Sequence, residues 1–461
     1  MIRAPVKAHQ GTTATSLVII LAACLIVGTQ WVAPTAYLII SIIAIVWVLF
    51  ARYIAAIPAI FLLTLDKAEF GTTEAYWQGE REVSLMRIAG FPVSLRMIVA
   101  MAMFIVVTLN LISGSRQARA PGVRPWLLLW CIGLGFALAG AYLGLGERFE
   151  GWTRGVRHCL SLGAVFYGIF ISRSSSEREV NLAHSVALWS SALLLLIGLL
   201  GLVTTHLMFL AVAIMASWAI SKIQGERKAL GAFVLSITVW HSFTNTFTFV
   251  GIVLCTILVL VVCTKASASI SRARTISSLI TGSVIMAGIA FVLVVANTNE
   301  ESLGVDQQIR TQKVETSMRE RLASKIYADR NLLWRPALEQ IGSGDQLLPP
   351  AGRPIELSSI YLEGGLWIFG PHCSYLDIPR NSGLIGFGAL ISLVYCVLRK
   401  VLFSFCNRPS NANVVAPAVF SAIAVGLVVG DFVMDINVGT LIWCLAGICI
   451  GRSRDPIPIK C

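Results

Sequence analysis

The chain has 461 residues, of which 56% are hydrophobic and only 13% charged, about half the charge of an ordinary soluble domain, and its mean hydropathy is +0.78. That composition excludes a soluble globular enzyme and implies a polytopic membrane protein built from apolar runs long enough to cross a bilayer. The formal charge of +12 does not point to nucleic acid, because the basic residues are spread over short loops without interleaved aromatics; the cytoplasmic bias of Lys and Arg accounts for them.

In chain order, Met1 to Thr13 carries Arg3 and Lys7 and no acid. Thr15 to Ala33 is predicted as a first span, retained because no small-residue cleavage site follows it. Tyr37 to Phe50 is the second, and Ile54 to Leu65 a short third. Asp66 to Phe91 mixes both signs of charge with Tyr76 and Trp77 and reads as a loop or a surface-lying helix. Pro92 to Ile112 spans again, and Arg116, Arg119 and Arg124 follow without an acid, a cytoplasmic signature.

Pro125 to Gly146 returns outward, Glu147 to His158 reads as a mixed loop, and Leu160 to Ser172 comes back to the polar stretch Arg173 to Glu179. Two hairpins follow, Ala187 to Val203 with His206 to Ile220, and Leu230 to Trp240 with Phe247 to Cys263. The second turns through His241-Ser242-Phe243-Thr244-Asn245-Thr246. Ile276 to Ala296 then delivers the chain to a long polar segment, Ala296 to Ser382, and Leu384 to Val397, Val415 to Val429 and Val438 to Ile450 complete the apolar runs.

The expected fold is therefore all-α and polytopic, with about twelve to fourteen transmembrane helices and one large, partly helical extracytoplasmic loop. Residues 1–295 form the N-terminal helices, 296–383 the loop with the candidate active site, and 384–461 the C-terminal helices and a basic tail. Each loop assigned inside is basic and the outer turns are neutral, acidic or mixed, so both termini are expected in the cytoplasm and the large loop outside it.

Inside the polar segment, Tyr327 to Ile341 has helical spacing, with Arg330, Trp334, Ala337 and Ile341 on one face. An arginine in such a helix is ordinarily a solvated charge; as a functional group its planar fork would clamp a phosphate. His372, in Gly370-Pro371-His372-Cys373-Ser374-Tyr375-Leu376, is either a loop histidine satisfied by the backbone or a general base facing a lipid headgroup just before the chain re-enters the membrane. His241 and Asn245 form a second polar cluster, for which helix capping is the ordinary explanation. Of the eleven cysteines only Cys373 lies in the polar segment, and no glycine-rich nucleotide loop or metal-ligand spacing occurs there.

Arg330 with Trp334 four residues later, Ala337-Leu338, an irregular Gly/Pro stretch, then His372-x-x-Tyr375-Leu376 and Gly383-Leu384-Ile385-Gly386 together resemble the O-antigen ligase and Wzy-type polysaccharide polymerase family, over roughly Thr244 to Leu398. The resemblance implies inverting glycosyl transfer from an undecaprenyl-diphosphate-linked glycan without metal, nucleotide or other cofactor. Arg330 would hold the diphosphate and His372 would activate the acceptor hydroxyl, with Trp334, Tyr375, His241 and Asn245 as accessory residues.

Two positions depart from the pattern. Cys373 stands where the family commonly has Asn, and Thr244-Asn245-Thr246-Phe247-Thr248 lacks the Arg usual there. A second phosphate ligand is therefore sought in the polar segment among Arg335, Arg353 and Arg380, with Arg380, at the expected membrane edge, the first choice. A polymerase joining lipid-linked repeat units in the bacterial inner membrane, working beside a flippase and a chain-length regulator, is the function the resemblance implies first. A ligase moving glycan onto a lipid A core uses the same donor chemistry. A flippase or exporter of lipid-linked sugar is the alternative from another class; it needs polar or charged residues within its spans, of which Arg96 is the clearest.

Overall fold

Long apolar stretches can satisfy their backbone groups in a bilayer as helices, and helices dominate this chain. The structure, a computed structural model, describes residues 6–65, 86–88, 91–113, 123–143, 149–200, 202, 207–222, 247–266, 270–297, 329–342, 361–362, 366–367, 373–407, 415–429, 432–434, 436 and 438–451. The helices are α1 (Val6–Gly28), α2 (Pro34–Phe50), α3 (Ile60–Leu63), α4 (Leu95–Ile112), α5 (Arg124–Leu143), α6 (Phe149–Ser174) and α7 (Glu177–Leu199). They continue with α8 (Leu207–Lys222), α9 (Phe247–Ala266), α10 (Ile270–Asn297), α11 (Asp329–Gly342), α12 (Ser374–Asn407), α13 (Val415–Val429) and α14 (Gly439–Gly451).

Two small antiparallel pairs interrupt the all-helical expectation: β1 (Met86–Ile88) with β2 (Phe91–Val93), and β3 (Tyr361–Leu362) with β4 (Leu366–Trp367). Met86 stands opposite Val93, and Tyr361 opposite Trp367. Among the described residues, seven helices are long and apolar enough to cross a membrane, and six shorter apolar helices accompany them. The protein is a polytopic, predominantly α-helical membrane protein.

Burial divides the helices into an outer and an inner set. Among the described side chains of α1, Ser16, Ile20, Ala23 and Val27 form a buried stripe, while Leu17, Val18, Leu21 and Leu25 are exposed, as a lipid-facing helix requires. By contrast α14 and the stretch Ser161 to Ser172 of α6 are buried all round. These two helices pack closely because glycines face each other: a methyl group at Gly168 would collide with the Cys444 carbonyl, and one at Gly447 with the Val165 carbonyl.

Three expectations from the sequence are corrected. Ile54 to Leu65 is not a span: a 3-10 helix, Ile54–Ala59, runs into the short α3, and together they rise only about 18 Å against a hydrocarbon layer of about 30 Å. The element is buried, and its final carbonyls are taken by the Gln30 amide, which donates to Leu65 O at 3.0 Å, and by the Tyr37 hydroxyl, 2.8 Å from Leu65 O and 3.0 Å from Leu63 O. Glu147 to His158 is helical from Phe149 onward. Gly155 and His158 are buried there, so a stretch polar on average turns a packed face inward.

The third correction concerns the end of the polar segment. α12 begins at Ser374, and residues 374–382 therefore belong to the helical body. Gly383 then adopts φ 66 and ψ 175, backbone that is essentially reserved for glycine. The expected re-entry at Leu384 is thus the second part of a broken helix.

Candidate functional site

The first piece of the site is α11. Its apolar positions recur at helical spacing, and Trp334 and Ala337 are 0% exposed and Ile341 8%, so the predicted face is the one that docks. The Trp334 ring stands edge-on to Phe291 of α10, with centroids 6.1 Å apart and planes at 83°. α11 also packs against α12. Arg330 lies one turn before Trp334 in α11; its side chain is outside the described residues. Arg335 is on the exposed face, where its Nε donates to Glu339 Oε1 at 3.2 Å.

The second piece is the start of α12. Cys373, the first described residue after His372, is buried, and its thiol donates to the Leu427 carbonyl of α13 at 3.7 Å. Tyr375 lies on Gly288 of α10: a methyl group there would come within 2.9 Å of the tyrosine ring and 3.0 Å of Val428 Cγ2. Gly288 and Phe291 are one turn apart on α10, a rise of about 4.5 Å. One short patch of α10 therefore seats both Tyr375 and Trp334. His372, His241 and Asn245 lie outside the described residues, as does Arg353.

Arg380 is drawn into the helical body. It is 9% exposed, and its Nη1 lies 4.0 Å from Oδ1 of Asp377, which is 0% exposed. That separation exceeds a hydrogen bond, so this contact is electrostatic. Asn381 donates from Nδ2 to the Asp377 carbonyl at 2.7 Å and Ser382 from Oγ to the Ile378 carbonyl at 2.7 Å. Both side chains thereby bond back to carbonyls one turn earlier in the first part of α12. From the other side α6 closes in, where a methyl group at Gly155 would lie 3.0 Å from Asn381 Cβ.

Comparison with family models, with curated proteins and with solved structures finds no match. Chemically, the described geometry combines a buried Asp/Arg pair, a helix start and two packed aromatic rings at one place in the bundle. Among the described residues no group of three or more His, Cys, Asp or Glu side chains is arranged to hold a metal ion. Sequence reasoning passed over Asp377. Its signal was an Asp three residues before an Arg, but ending the polar segment at Gly383 hid that both would be buried in a helix.

Proposed function

We propose that the protein is a membrane glycosyltransferase, a polysaccharide polymerase that joins undecaprenyl-diphosphate-linked repeat units at the outer face of the bacterial inner membrane. The observation that supports this most is the seating of Trp334 and Tyr375 on neighbouring turns of α10. Trp334 belongs to the helix that carries Arg330, and Tyr375 follows His372 by three residues, so the two motifs behind the resemblance are tied to one patch of the membrane domain. About twelve spans, cytoplasmic termini and a periplasmic segment between α10 and α12 complete the reading.

In this reading the acceptor hydroxyl gives its proton to His372 and its oxygen attacks the anomeric carbon. The bond from that carbon to the diphosphate breaks, and the charge that develops on the leaving lipid diphosphate is met by Arg330. Fixed cations in a partly dry site stabilise such charge strongly, and the positioned base assists the attack. A deletion strain complemented with variants tests it. His372→Ala should lower polymer formation by roughly 10²-fold or more at unchanged protein level, and Arg330→Lys, which keeps charge and loses the fork, should also impair it. Normal polymer from His372→Ala would exclude this mechanism.

A second reading is favoured by one observation, the burial of Asp377 and Arg380 within a candidate span. Ionisable side chains at membrane depth are what an exporter of lipid-linked sugar requires. Reconstituted protein separates the two: movement of labelled lipid-linked sugar across liposomes without formation of glycosidic bonds would select the exporter.

A further inference from the structure

The first part of α12 assembles polar groups that packing alone does not explain. Ser374 Oγ and the Tyr375 hydroxyl are buried and have no hydrogen-bond partner among the described residues. A buried hydroxyl left in that state is unfavourable, a cost that a bound group would remove. Ser374 opens the helix. The residue before it, Cys373, has no side-chain oxygen with which to cap the first amides, and its thiol is engaged with Leu427. The Cys373 carbonyl receives the amides of Leu376 and Asp377, which leaves the earliest N–H groups at the positive end of the helix dipole.

The Arg380 side chain adds a full charge from the same direction. Helical side chains lean toward the N-terminus, and the approach of its Nη1 to Asp377 places the guanidinium a turn back along the helix toward Ser374. Replacing a buried ion pair by apolar side chains is commonly neutral or stabilising, so stability does not account for this one. A guanidinium has five donors in a planar fork and can meet a second anion beside the first.

We propose that Ser374, Tyr375 and Arg380 form a buried anion site at the start of α12, with Asp377 as the resident counter-ion of Arg380, and that the site takes a phosphate of a lipid-linked diphosphate. Asp377 is a positioning residue: it compensates Arg380 when the site is empty and competes with the incoming phosphate. The assignment to a lipid diphosphate rests on the glycosyltransferase reading; the anion site itself stands on the buried groups.

The test is binding by the full-length protein in nanodiscs of neutral lipid, titrated calorimetrically with geranylgeranyl diphosphate, inorganic diphosphate and geranylgeraniol. Geranylgeranyl diphosphate should bind, and the other two should bind at least ~10-fold more weakly. Ser374→Ala should weaken binding roughly 10-fold, the scale of one hydrogen bond to a charged group. Asp377→Asn should strengthen it, because the competing carboxylate is gone.

The double variant Asp377→Asn with Arg380→Gln is neutral at both positions and close in shape, so the helix keeps its packing, and binding should be lost. Wild-type affinity in both the single and the double variant would overturn the site, and equal binding of inorganic diphosphate would overturn the lipid assignment. Failure here is distinct from failure of the glycosyltransferase reading. Normal polymer in His372→Ala with Arg380-dependent binding intact rejects only the latter, whereas polymer lost in His372→Ala with binding indifferent to Arg380 rejects only the anion site.

Discussion

Two helices emerge from the one long polar segment, and they treat their charges in opposite ways. α11 buries Trp334, Ala337 and Ile341 and leaves Arg335 and Glu339 in the open, 57% and 67% exposed. The first part of α12 instead takes its charges inside, with Arg380 at 9% and Asp377 at 0%. Both pairs are Arg with a carboxylate at helical spacing. The difference lies in the neighbours: α11 lies along α10 and α12, while the start of α12 meets α10 at Gly288, α13 at Leu427 and α6 at Gly155. An exposed ion pair is screened and contributes little, whereas a buried one is costly to break.

That contrast can be broken experimentally, and the largest effect is expected at Asp377. Asp377→Ala leaves the Arg380 charge buried without its carboxylate and should destabilise the protein by about 3–5 kcal/mol, read from SDS unfolding in mixed micelles. A loss below about 1 kcal/mol would show that the pair is hydrated, contrary to its burial. Trp334→Ala removes the ring that anchors α11 on Phe291 and should cost about 3 kcal/mol. Limited proteolysis should then cut within residues 329–342; a wild-type digestion pattern would mean that α11 is held by something else.

Gly383→Ala forces a side chain onto positive φ and should cost about 1–3 kcal/mol. An unchanged melting temperature would show that the break in α12 can relax. At the other extreme, Arg335→Ala should change stability by less than about 0.5 kcal/mol. A markedly larger effect in the same unfolding assay would place Arg335 in a functional contact and dissolve the contrast between the two helices.

The amphipathic spacing of Arg330, Trp334, Ala337 and Ile341 was legible because a helix of apolar residues on one stripe can be read without knowing its partner. The apolar helices were legible for a similar reason: a bilayer imposes a length and an apolar composition on whatever crosses it. Gly383 was legible as a landmark, though not as a break inside a helix.

What the sequence by itself determined, then, is the membrane-embedded helical class and the docking face of α11, since these follow from local composition and period. Only the tertiary structure decided that Ile54 to Leu65 is too short to cross, that Glu147 to His158 contains the first turns of α6, and that residues 374–382 are sunk into the bundle. It also set Tyr375 and Trp334 on one patch of α10 and drew Asp377 and Arg380 inside. The physical reason is that burial is a property of contacts between elements far apart in the chain. A mixed-charge stretch reads as solvated until the helices that exclude water from it are in place.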